Sequence, residues 1–158
     1  MIRQCTNADV ATIDAIINEA AQAYRGVIPI DCWHEPYMSR VDLVAEIDAG
    51  VTFSGWEEKG SLVGVMGLQR VGDVTLIRHA YVRPEYQGRG IGGALLSKLA
   101  AQVTGPLLVG TWAAADWAIR FYVRHSFRQV SVADKDRLLE THWRISRRQQ
   151  ETSVVLTR

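Results

Sequence analysis

Val82-Arg83-Pro84-Glu85-Tyr86-Gln87-Gly88-Arg89-Gly90-Ile91-Gly92-Gly93-Ala94-Leu95-Leu96 joins a strand to a helix. Upstream, the apolar-rich run Val74 to Val82 reads as a strand, and downstream Ile91, Leu95, Leu96 and Leu99 recur at helical spacing. A glycine-rich turn therefore opens a helix. Such a turn leaves backbone N–H groups unpaired and converging at the helix start, where the helix dipole adds positive potential. Glycines let a ligand approach that backbone with no Cβ in the way. The site suits a phosphate or pyrophosphate.

Gly88, Gly90 and Gly93 spell the dinucleotide fingerprint G-x-G-x-x-G. Its context argues against that use. The fingerprint belongs to the first βα turn and needs an acid about 20 residues on, at the end of the next strand. Here the turn is mid-chain, the next strand candidate Leu107-Leu108-Val109-Gly110-Thr111 ends with no acid, and Asp116 comes too late. A dinucleotide-binding oxidoreductase stays as a rival that predicts NAD(H) binding.

Gln87-Gly88-Arg89-Gly90-Ile91-Gly92 resembles the acetyl-CoA signature Q/R-x-x-G-x-G/A of the GNAT N-acetyltransferases, and Ala80-Tyr81-Val82-Arg83-Pro84 and Ala94-Leu95-Leu96 resemble its flanks. The resemblance implies acetyl-CoA as co-substrate and no metal. It also implies a three-layer α/β domain whose mixed, largely antiparallel sheet is splayed between its fourth and fifth strands, with helices on both faces. Composition and periodicity by themselves establish only a mixed α/β domain.

With 158 residues the chain reads as one domain, 1–158, large enough to bury a core. Apolar content of 47% and charged content of 22% are ordinary for a soluble globular protein. A net charge of +1 gives no electrostatic case for nucleic acid or an acidic membrane surface, and Arg144, Arg147 and Arg148 read as a solvated loop. Cys5 and Cys32 are too few and too far apart for a metal motif, and His34 completes no ligand set. Met1-Ile2-Arg3-Gln4-Cys5 is no signal peptide, and no apolar run approaches the roughly 18 residues of a membrane span, so a cytoplasmic protein is expected.

Along the chain, Ile2–Cys5 reads as a strand. Thr6 with Asp9 forms a capping pattern, and Val10, Ile13, Ile16, Ile17 and Ala20 carry a helix to about Tyr24. Residues 25–38 lack a period and hold two prolines, which predicts an irregular loop. Ser39 with Asp42 caps a short helix ending at Gly50. Strands follow at Val51–Trp56, Leu62–Arg70 and Val74–Val82, joined by turns at Lys59-Gly60 and Val71-Gly72-Asp73. After the glycine-rich helix come a strand at Leu107–Gly110, a helix ending near His125, a strand at Phe127–Val132, a charged helix at Asp134–His142 and a last strand at Gln150–Leu156.

Three chemical tasks follow from the resemblance. Backbone groups of Gly88, Arg89, Gly90, Ile91, Gly92 and Gly93 would hold the pyrophosphate, with the Arg89 side chain able to assist. Backbone groups of Ala80, Tyr81 and Val82 would pair with the pantetheine arm and polarise the thioester carbonyl; one such donor is worth roughly 3–4 kcal/mol in a protease. Phe121-Tyr122 matches the family's F-Y motif, which makes Tyr122 the general acid for the thiolate; an unperturbed Tyr, pKa about 10, is protonated at neutral pH. Two departures stand out. Ala115 replaces a frequent Asn, which puts the details of CoA binding in question, and Ser126-Phe127 replaces Gly-Phe.

For the acceptor amine, His79 has a suitable reference pKa of about 6.5. Arg78 cannot be a base but could bind an acidic acceptor group. Adjacent strand residues face opposite sides, so only one of the two should face the cleft unless a bulge intervenes. Leu76 stands where some members carry a Glu, and Glu57, Glu58 and Asp73 lie at turns. The loop residues Trp33, His34, Glu35 and Tyr37 are the expected acceptor contacts, because this segment commonly walls the acceptor site in the family. The reading is an N-acetyltransferase for a small-molecule or protein amine, with homodimerisation open. Its rival is a non-catalytic acyl-CoA sensor or scaffold.

Overall fold

The computed structural model describes residues 1–158. Seven strands form one sheet in the order β1-β2-β3-β4-β5-β7-β6. They are β1 Ile2–Gln4, β2 Thr52–Glu58, β3 Ser61–Val71, β4 Val74–Val82, β5 Leu107–Trp112, β6 Arg128–Gln129 and β7 Ser153–Thr157. The helices are α1 Val10–Ala20, α2 Arg40–Asp48, α3 Ile91–Ala100, α4 Asp116–Arg124, α5 Val132–His142 and α6 Arg147–Glu151. No helix is long and apolar enough to cross a membrane.

Every strand pair is antiparallel except β4–β5. That parallel pair holds only over Thr75–Ile77 against Leu107–Val109. Beyond it Arg78–Val82 has no neighbour on its β5 side, so the sheet splays open there as expected.

The two faces carry different cores. On one, α1 and α2 bring Ile13, Ile16, Ile17 and Leu43 onto Phe53, Leu62 and Val65. On the other, Ile91, Leu95, Leu96 and Leu99 of α3 meet Val63, Met66, Ile77 and Val109. Each side chain buried this way contributes about 1.5–3 kcal/mol. The α5 helix covers the first face further along, where Leu138 and Trp143 pack on Leu76 and Leu108.

A bulge in β4 matters most for the site. Val65 pairs with Tyr81 and Gly67 with Arg78, so Met66 alone opposes His79 and Ala80. His79 is the extra residue, with φ +53. Without it, His79 would point to the α3 face. With it, Arg78 and His79 share the α2 face, and Tyr81 follows them there.

Two sequence-based boundaries are corrected. The strand expected at Phe127–Val132 is only Arg128–Gln129, because Ser131 caps α5 by accepting from Asp134 N at 3.1 Å. The strand expected from Gln150 begins at Ser153, because Ser146 caps α6 by accepting from Gln149 N at 3.1 Å. Arg147 and Arg148 are therefore helical, and Arg148 pairs with Asp31 at 2.8 Å instead of lying in a free loop.

Candidate active site

The glycine-rich turn divides its glycines between two tasks. Gly88 (φ +77) and Gly90 (φ +80, the residue before α3) adopt the left-handed backbone, and a Cβ at either would meet nothing within 4 Å. These two open the cradle to a ligand. Gly92 and Gly93 are helical and face α4: a Cβ on Gly92 would lie 3.4 Å from the Phe121 ring, and one on Gly93 would lie 2.8 Å from His125 Nε2. Ile91 is buried against Gly64, so only its backbone is available to a ligand. Arg89 donates to the Glu85 carbonyl at 3.2 Å and stacks 4.9 Å over the Tyr86 ring, which leaves its side chain outside the cavity wall.

A cavity of about 510 Å³ runs from this turn into the splay, walled by Ala80, Tyr81 and Val82 on one side and by Trp117, Phe121 and Tyr122 on the other. The Tyr122 ring is buried, edge-on to Phe121 at 5.1 Å and to Phe127 at 5.4 Å. Burial, reinforced by the charge of Tyr24, pushes its hydroxyl well above the ordinary tyrosine value, so it stays protonated at neutral pH. No side-chain oxygen or nitrogen is both sealed and without a partner. The Tyr122 hydroxyl makes no hydrogen bond in the protein, so it is open to the cavity it lines.

A second cavity, about 880 Å³, lies on the α2 face and is lined by His34, Tyr37, Glu46, Arg78, His79 and Trp112 among others. Four of the expected acceptor-side residues therefore come together here: His34, Tyr37, Arg78 and His79. Trp33 sits behind them, 5.9 Å from the Tyr37 ring. Glu35 is turned away, exposed and accepting from Gln22 Nε2 at 3.3 Å.

Glu46 of α2 had no signal in the sequence. Its carboxylate accepts from Arg78 and from His79 Nε2, the latter at 3.0 and 3.1 Å. Burial alone would raise this carboxyl, but the His79 hydrogen bond and the His79 and Arg78 charges outweigh it, and the net shift is downward. Tyr24, Trp112 and Trp117, which line the two cavities, had no local signal either and join the expected Tyr37 and Tyr81. Tyr24 stacks on Trp117 at 5.9 Å, meets Tyr37 at 5.3 Å, and its hydroxyl lies 3.4 Å from that of Tyr81; Trp112 Nε1 donates to the Tyr37 hydroxyl at 2.8 Å. Ala115 is fully buried in this group. Their signal was spacing across distant elements, which no local pattern carries. No cluster of three or more His, Cys, Asp or Glu converges to hold a metal ion.

This topology, splayed after a short parallel pair, is that of solved N-acetyltransferases. The PaiA N-acetyltransferase of Thermoplasma acidophilum, in complex with coenzyme A, superposes with a TM-score of 0.75 at 17% identity, over 100% of this chain and 97% of that one. A GNAT-family acetyltransferase of Staphylococcus aureus gives 0.74 at 17% identity, over 100% and 97%. The ribosomal-protein-alanine N-acetyltransferase of Brucella melitensis gives 0.68 at 18%, over 100% and 98%. No curated protein matches the sequence. The acetyltransferase (GNAT) family model matches residues 13–127, and the chain belongs to that family.

Proposed function

We propose that the protein transfers the acetyl group of acetyl-CoA directly to an amine acceptor in a ternary complex. One observation carries the reading. A protonated, unpartnered Tyr122 hydroxyl opens on the cavity that begins at Gly88 and Gly90, and a histidine-bearing cavity lies on the other side of the splay. Backbone N–H groups at the start of α3 hold the pyrophosphate, where the left-handed Gly88 and Gly90 leave room for it. The unpaired edge of Ala80–Val82 receives the pantetheine arm and polarises the carbonyl. The acceptor enters from the α2 face, its amine loses a proton to His79, and Tyr122 protonates the departing thiolate.

Calorimetric titration with acetyl-CoA, with NADH alongside and Gly90→Glu as the control, tests the cofactor. Saturable acetyl-CoA binding that is lost in the variant is the expected result. Binding of NADH alone would sink the reading. Tyr122→Phe then separates catalyst from sensor: a catalyst keeps its acetyl-CoA affinity and loses turnover with an amine panel, whereas a sensor has no turnover to lose.

A further inference from the structure

We propose that Glu46 is a positioning residue for the transfer: it holds His79 in the tautomer whose Nδ1 is free to take the acceptor's proton. The proposal rests on the acetyltransferase reading above.

The geometry of the bulge makes the case. His79 Nε2 lies 3.1 Å from Glu46 Oε1 and 3.0 Å from Oε2. An ionised carboxylate only accepts, so Nε2 carries the hydrogen, and in the neutral ring Nδ1 carries a lone pair. Nδ1 has no hydrogen-bond partner and is not sealed, on a side chain that lines the α2-face cavity. The ring lies offset beside Phe53 and roughly parallel to it, with centroids 6.1 Å apart and planes 26° apart. Arg78, whose face the bulge makes His79 share, donates to Glu46 and at 2.9 Å to Gln69 Oε1. It thereby ties α2 to β3 and keeps the carboxylate ionised. A carboxylate on one ring nitrogen both fixes the tautomer and stabilises the imidazolium that forms.

Other charges that face the ring do not do this. Asp42 of α2 and His34 of the loop line the same cavity without bonding to His79. Across it lie His142 and Arg144, and Asp31 is already paired with Arg148. Tyr37 keeps its proton, because burial pushes its hydroxyl far up.

In the step itself the amine nitrogen bonds to the acetyl carbon and one N–H proton passes to His79 Nδ1. The C–S bond then breaks and the thiolate takes the Tyr122 proton. The imidazolium afterwards gives its proton to solvent, and the phenolate recovers one from solvent, so both groups return to their starting state.

The test is a pair of measurements on the full chain. Imidazole ¹⁵N spectra, with His79→Gln to assign the signal among the four histidines, should find His79 as the Nε2–H tautomer. In Glu46→Gln its tautomers should mix, because the amide can accept from or donate to the ring. In parallel, the acidic limb of the kcat/KM profile should move to lower pH in Glu46→Gln. Its kcat should fall on the order of tenfold or more, with acetyl-CoA affinity unchanged and partial recovery in Glu46→Asp. A wild-type His79 protonated at Nδ1, or an active enzyme whose tautomer and acidic limb stay in place in Glu46→Gln, overturns the role of Glu46. A wild type without turnover on any amine overturns the underlying reading instead, and so is told apart.

Discussion

At Gly92 and Gly93 two adjacent residues of the same type answer to different constraints. Gly93 faces His125 Nε2, where a Cβ would come within 2.8 Å. That ring cannot swing aside freely, because Nδ1 donates to the Phe121 carbonyl at 2.8 Å and the ring packs on Phe121 at 4.5 Å. Gly93→Ala should therefore cost about 1–3 kcal/mol, the usual penalty of overpacking. Gly92→Ala meets Phe121 at ordinary contact distance, and helix propensity favours it by up to about 1 kcal/mol. Urea melts of both variants check this, and equal destabilisation would show that neither glycine is there for the α4 contact. Ala115 poses the opposite case. It has no exposed surface and packs with Tyr24, Cys32 and Trp112, so an amide there must displace its neighbours even though it stands at the start of α4. Ala115→Asn should lose about 1–3 kcal/mol and gain no acetyl-CoA affinity. Tighter binding with unchanged stability in calorimetry and thermal melts would contradict it.

The α4 helix ends in a motif that also holds Tyr122 in place. Phe127 N donates to the Tyr122 carbonyl at 3.0 Å and Ser126 N to the Val123 carbonyl at 3.2 Å, a Schellman arrangement with Ser126 at φ +70 in the position glycine favours. The rings of Phe127 and Tyr122 close it at 5.4 Å. Ser126→Gly removes the left-handed penalty and should stabilise the protein by roughly 0.5–1 kcal/mol, net of the unfolded-state entropy glycine adds. Differential scanning calorimetry should record a rise of about 2–4 °C per kcal/mol, and a fall would mean the serine hydroxyl contributes something unseen. Local patterns of this kind were what the sequence exposed. The cap that Ser39 makes by accepting from Asp42 N, the left-handed hairpin pair Lys59-Gly60, and the strand-to-helix turn at Gly88–Gly93 all came from short-range chemistry, and all appear where expected. The same chemistry was present but overlooked at Ser131 and Ser146, where an acid or amide three residues on opens α5 and α6. The bulge at His79 was another matter. A single non-glycine residue in the left-handed region carries no local signature, yet it decides which face His79 uses. Glu46 could be read as a partner only after that face was known.

Across the whole molecule, carboxylates tie elements that are far apart in sequence, and the dependence of stability on acid follows from them. Arg3 of β1 reaches Asp9 at 2.9 Å and also pairs with Glu57 of β2. The hydrogen bond from Arg3, with the Thr6 backbone N–H behind it, brings the Asp9 carboxyl down to about 2 from 3.8. Glu46, which joins α2 to β4, is also held below its ordinary 4.5, because His79 and Arg78 outweigh its burial. Both groups bind protons less readily folded than unfolded, so the unfolded chain takes up more protons as pH falls. Their stabilisation is complete above the unfolded values, near 4, and is lost as the pH descends through the lower folded ones. The melting temperature should therefore hold from pH 7 to about pH 5 as far as these carboxylates are concerned, and fall between about pH 4 and pH 2. Asp9→Asn should lower it at pH 7 and flatten part of the fall, and added salt should mimic that variant, since the Arg3 pair is near the surface and screened. Glu46→Gln should flatten the remainder with little response to salt, because its pair is more enclosed. Thermal melts across pH 2–7 at two salt concentrations separate the two. If the slope in acid is the same in all three proteins, these carboxylates are not what couples the fold to protons.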